Sequence, residues 1–154
     1  MSKAAEGSVE DTVIYFERLW PSLWVWLLVL GAAAASIVTF APIDVFVGFA
    51  AAAVIALVLV TLLVLSTPRI VVTPATLTVG RATIERRYLG AVSAYTGDEA
   101  TEQRGTALNG LAYLCIRGWI SPVVRIEVTD PEDRTPYWLA STRRPQQLTA
   151  ALAR

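Results

Sequence analysis

The chain has 154 residues, 55% of them apolar and only 17% charged; its 13 basic and 13 acidic side chains cancel, and its mean hydropathy is +0.52. It holds no histidine and one cysteine, which excludes a Ser-His-Asp triad, a histidine metal site, a thiolate zinc site and an intrachain disulfide framework. A net charge of zero over the whole chain leaves no electrostatic footprint for nucleic acid.

The charges are unevenly placed. Six fall in residues 1–18, nineteen in residues 69–154, and one, Asp44, in the fifty residues between. Residues 1–18 form an acidic leader that opens with small and polar residues of no periodicity. Ser8-Val9-Glu10-Asp11 has the spacing of a helix-capping box, with Val13, Phe16 and Trp20 on one helical face. This predicts a short interfacial helix in the leader; the alternative is an extended Val13–Phe16 segment lying at lipid headgroups.

Asp44 divides the gap into two uncharged runs, Leu19–Ile43 and Val45–Pro68. Each exceeds the roughly 18 apolar residues that mark a membrane-spanning candidate. Residues 19–43 are expected to form one transmembrane helix and residues 44–67 a second. Trp20, Trp24 and Trp26 gather at one end of the first span, where amphipathic rings anchor at the headgroup level. Such a chain is too short to bury two helices that are apolar all round. A signal peptide fits poorly, because the apolar run starts late, after an acidic leader, and lacks a convincing small-residue cleavage site at usable distance.

Orientation follows from the arginines. The connection near Asp44 carries no basic residue, while Lys3 and Arg18 precede the first span and Arg69, Arg81, Arg86 and Arg87 follow the second. The positive-inside rule then places both termini in the cytoplasm and the short loop outside the plasma membrane. Gly31 and Ala35, and likewise Gly48 and Ala52, are spaced i, i+4, which suits close helix packing in lipid but also arises by chance in alanine-rich spans. Neither span carries an ionisable residue at its centre, which weighs against a transporter, proton relay or channel.

From Arg69 the pattern changes to period two. Strands are expected at 69–72, 76–79, 82–85, 88–95, 111–117, 123–129 and 135–140, separated by Gly, Pro and Asp turns. Residues 96–109 are polar and read as a mobile loop. Ser141 or Thr142 can cap a closing helix over residues 143–153, with Pro145 in its first turn and Leu148, Ala151 and Leu152 on one face. The chain reads as an α+β membrane protein. A two-helix hairpin is followed, over 68–154, by a small antiparallel β-barrel or sandwich of about seven strands with a C-terminal helix.

This order resembles the pleckstrin-homology-like (PH-like) domains that follow paired spans in bacterial membrane proteins. A closer resemblance rests on Tyr15-Phe16-Glu17-Arg18-Leu19-Trp20, on Val72-Thr73 to Val79-Gly80, and on Thr135-Pro136-Tyr137-Trp138-Leu139-Ala140-Ser141-Thr142-Arg143-Arg144-Pro145. These segments are similar to an actinobacterial family of two-span proteins known as a domain of unknown function. The resemblance covers nearly the whole chain and implies architecture and membrane location, with no catalytic residue to carry over. One lysine against twelve arginines, with abundant alanine, fits a high-GC genome.

Arg86, Arg87, Arg143 and Arg144 are the candidate contacts to anionic headgroups or a partner, against the plainer reading of solvated surface and topology signal. Trp119, in a Gly/Pro-flanked loop, is either a partner anchor or a plug for the end of the barrel. Trp138 and Cys115 read as core. Asp98, Glu99 and Glu102, like Asp130, Glu132 and Asp133, read as solvated loop or turn acids, and no phosphate loop occurs. The expected function is therefore non-enzymatic, without cofactor or metal. The first candidate is a membrane-anchored interaction module or accessory subunit that associates with other membrane proteins or with itself. The second is a sensor of anionic lipid or of the envelope.

Overall fold

Two kinds of sequence pattern produce two kinds of structure. The structure, a computed structural model, describes residues 12–154. They divide into two compact units, residues 20–67 and a second unit made of 12–19 with 68–154.

The first unit is a helical hairpin, α1 (Leu23–Phe40) and α2 (Val45–Ser66). At ~1.5 Å per residue these reach about 27 and 33 Å, and both are long and apolar enough to cross a bilayer. Asp44, the one charge in this stretch, caps α2: its Oδ1 accepts the backbone N–H groups of Phe46 (2.6 Å) and Val47 (3.4 Å). Four further polar side chains bond to their own helix. Ser36 donates to the Ala33 carbonyl, Thr39 to Ala35, and Ser66 and Thr67 to Leu63. That arrangement suits a medium with no water to solvate them. Ser36, Gly48 and Ala52 are the buried residues of the two helices. A Cβ built on Gly48 would lie 3.1 Å from the Ile37 carbonyl oxygen, so only glycine lets the backbones come this close. Gly31 and Ala35 are exposed, and nothing lies within 4 Å of a Cβ built on Gly31. The close approach therefore uses the Ser36–Ile37 side of α1.

The second unit holds eight strands in two four-stranded sheets and a closing helix. The first sheet is β1 (Tyr15–Arg18), β2 (Arg69–Val72), β3 (Thr76–Val79) and β4 (Ala82–Glu85), in that order and antiparallel throughout. Gly80, at φ +64°, begins the two-residue turn from β3 to β4. A 3-10 turn, Arg86–Tyr88, leads into β5 (Leu89–Tyr95), which is followed by α3 (Gly97–Arg104), β6 (Tyr113–Cys115), β7 (Val123–Val128) and β8 (Tyr137–Ser141). The second sheet has the order β5-β7-β8-β6, and β6 runs parallel to β8. The last helix is α4 (Pro145–Leu152).

The inward residues of both sheets meet the apolar face of α4 in one core. Ile70, Val72, Leu77 and Val79 face Val124, Ile126, Trp138 and Ala140, with Leu148 and Ala151 from the helix. The alternate residues of β7 and β8 form a smaller cluster on the other face of the second sheet. Val123, Tyr137 and Leu139 pack there against Ala100 of α3.

Three sequence expectations change. Tyr15–Arg18 forms a strand of the β-unit and not an interfacial helix, because period two buries Tyr15, Glu17 and Leu19 together where period 3.6 scatters them. The proposed capping box at 8–11 lies outside the described residues. Residues 97–104 are a helix and not a mobile loop: Gly97 adopts φ +56° at its start, Asp98 and Glu99 occupy its first turn, and Ala100 is fully buried. The all-antiparallel expectation fails at β6, whose long approach through 105–112 lets it add parallel to β8.

Candidate functional site

The two strands that flank the hairpin in sequence are neighbours in the first sheet. Tyr15, Phe16, Glu17 and Arg18 stand opposite Val72, Val71, Ile70 and Arg69. Beyond the ladder the Leu19 N–H donates to the Pro68 carbonyl at 3.0 Å. The chain leaves and re-enters the sheet at one closed joint.

Beneath this joint lies a buried carboxylate. Glu17 is 6% exposed. Its Oε2 accepts the hydroxyls of Tyr15 (2.7 Å) and Thr142, and its Oε1 accepts the Arg143 backbone N–H at 2.8 Å. Three donors on one carboxylate meet the cost of burying it. Burial, partly offset by the Thr142 hydrogen bond and reinforced by the Glu17 charge, pushes the Tyr15 phenol up to about 12. The Arg144 N–H donates to the Thr142 hydroxyl oxygen, so the same cluster fixes the start of α4.

The four candidate arginines do not form one patch. Arg86 donates to the Ala151 and Leu152 carbonyls at 3.3 and 2.9 Å, closing the C-terminal end of α4. Arg144 is the N-cap of the same eight-residue helix, about 12 Å away along its axis. Arg87 is exposed, pairs with Glu85 at 2.8 Å and lies over the Tyr88 ring. Arg143 and Arg144 are exposed side by side.

Trp119 is half-buried and packs against the main core, and its indole N–H has no hydrogen-bond partner among the described residues. Trp138 and Cys115 are buried, and burial raises the Cys115 thiol. The acids of 130–133 serve the turn: Asp130 accepts the Glu132 N–H, and Asp133 accepts the Thr135 N–H, which lowers the Asp133 carboxyl. Among the described residues no three His, Cys, Asp or Glu side chains are grouped to hold a metal.

Residues 14–152 match the family described as a protein of unknown function, DUF3093. The chain belongs to the DUF3093 family. The match begins at Ile14, so the family unit takes in β1 as well as the hairpin and the strands after it. No curated protein and no solved structure matches the chain.

Sequence reasoning missed the Glu17 cluster. Thr142 reads from the sequence as a helix cap, but the N-cap is Arg144, without a side-chain cap bond, and a glutamate in an acidic leader looks like any solvated charge. The one available signal is the alternation Tyr15-Glu17-Leu19, which sets Glu17 on the same strand face as two apolar residues.

Proposed function

We propose that this DUF3093 protein is a non-enzymatic, membrane-anchored interaction module, an accessory or assembly subunit of a larger membrane complex. In this reading the α1–α2 hairpin spans the plasma membrane and the β-unit, a PH-like domain, lies on its cytoplasmic side. The observation that carries it is the joint: β1 and β2 flank the hairpin in sequence and pair in one sheet, closed by the Leu19–Pro68 bond. Both ends of an apolar hairpin then return to one domain, as a two-pass anchor requires. A domain held by two strands loses less freedom on docking to a second membrane protein than one on a single flexible linker.

The cytoplasmic side is supported by Arg69, Arg81, Arg86 and Arg87 after α2, against none beside Asp44. The non-enzymatic reading is supported by the lack of a histidine base and by the structural employment of Asp44, Asp130 and Asp133 in caps and turns. Lipid sensing through the four candidate arginines has weaker support, because Arg86 is committed to α4 and Arg87 to Glu85.

Crosslinking in native membranes, followed by purification in mild detergent and mass spectrometry, tests the reading. The expected result is a stoichiometric partner or a homo-oligomer, weakened by substitution of Trp119 or of the hairpin. Recovery of the monomeric chain alone overturns it.

A further inference from the structure

We propose that the outer face of the first sheet, at the end where the chain runs into the hairpin, binds anionic phospholipid headgroups through Arg18, Arg69 and Arg81. This inference rests on the reading that the hairpin spans a bilayer.

Register brings the residues together. Arg18 stands directly opposite Arg69, and both are exposed on the face that turns away from the core. Phe16, 54% exposed, stands opposite Val71 on the same face, one pair further along. The β3–β4 turn abuts this end as well, since the Gly80 N–H donates to the Arg69 carbonyl at 2.9 Å, and exposed Arg81 is the next residue. Sequence alone separates these side chains by up to 63 positions, and only the β1–β2 pairing unites them.

Three features favour a lipid over other anions. Chain length is the first: at about 3.5 Å per residue, Arg69 lies within roughly 11 Å of the last residue of α2. A bilayer that holds α2 therefore brings its headgroups within reach. Composition is the second, because exposed Phe16 beside the arginines suits the boundary between headgroups and acyl chains. Charge distribution is the third. On the outward positions of this sheet the one carboxylate is Glu85, at the far end opposite Thr76 and paired with Arg87.

The test uses the full chain in vesicles of phosphatidylcholine mixed with phosphatidylglycerol, with brominated versions of each lipid as quenchers of tryptophan fluorescence. Trp20, Trp24 and Trp26 report from the hairpin end nearest Arg18 in sequence. The wild type should prefer brominated phosphatidylglycerol, and the preference should fall about fivefold for each arginine removed in R18Q, R69Q and the double variant. R18K/R69K should retain it, which separates charge from fold. An undiminished preference in R18Q/R69Q overturns the proposal, as does a loss confined to R143Q/R144Q. Absence of quenching by either brominated lipid in the wild type overturns the membrane reading itself.

Discussion

The Glu17 carboxylate accepts the Thr142 hydroxyl across 125 positions of sequence, and through this bond the strand before the hairpin is locked to the start of the last helix. The same carboxylate takes the Tyr15 hydroxyl and the Arg143 N–H. The two ends of the β-unit are thereby closed on each other by a single buried charge.

Removing that charge should loosen the whole unit. Glu17→Ala leaves three buried or half-buried donors without their acceptor, at a cost of about 2–3 kcal/mol. For a domain of this size that corresponds to a fall in Tm of roughly 10 °C or more. Thermal unfolding of the full chain in detergent measures it. Glu17→Gln, which keeps the shape and one acceptor oxygen, should lose less. An unchanged Tm in Glu17→Ala would show that the cluster is dispensable.

Tyr15 gives the same cluster a pH signature. Its phenol is pushed up to about 12, against about 10 in an unfolded chain. A group with a raised folded value contributes stability that is complete below pH 10. The contribution is lost as pH rises from 10 through 12, at most about 2–3 kcal/mol. Denaturant unfolding at stepped alkaline pH should show this loss in the wild type and a shallower one in Tyr15→Phe. Equal slopes would remove Tyr15 as the cause.

How much of this was legible differs by element. The hairpin was plain, because two uncharged runs longer than any core helix of a small domain leave few alternatives. The β2–β4 meander was equally plain from its alternation and from Gly80. The Phe16–Trp20 segment was not, because Val13, Phe16 and Trp20 fit a helical face as well as Tyr15, Glu17 and Leu19 fit a strand face. Only a partner strand on the far side of the hairpin decides between them. Arg86 reads from the sequence as a surface charge for a related reason: its partners are the carbonyls of Ala151 and Leu152, and carbonyl acceptors leave no mark in sequence.

Arg86 and Arg87 should therefore behave differently on substitution. Arg86→Ala frees the last carbonyls of α4 and the Thr73 carbonyl, at a cost of about 1–2 kcal/mol. Arg87→Ala removes an exposed pair worth well under 1 kcal/mol. Hydrogen exchange over residues 146–153 should accelerate in the first variant and remain unchanged in the second. Equal protection in both would mean that Arg86 does not hold the helix.

Within the hairpin, Gly48 and Gly31 should part company. A side chain at Gly48 meets the Ile37 backbone at 3.1 Å, where no rotamer change gives relief, while nothing lies near Gly31. Gly48→Leu should separate the helices and cost about 1–3 kcal/mol, and Gly31→Leu should cost little. Unfolding titrations in mixed micelles read the difference, and equal midpoints would contradict the close contact at Gly48.

The sidedness of the hairpin can be tested with little background, because the chain's single cysteine is buried and its thiol is raised by that burial. Both effects slow alkylation, since the thiolate is the reactive form and the sulfur must be reached. Asp44 should be left in place, as it caps α2. Neighbouring Ile43, 77% exposed, is the better site. In intact cells Ile43→Cys should react with a membrane-impermeant maleimide, whereas a cysteine at exposed Arg134 should react only after lysis. Labelling of residue 134 but not 43 in intact cells would reverse the orientation and place the β-unit outside. Labelling of neither before lysis and both after it would remove the bilayer from between them.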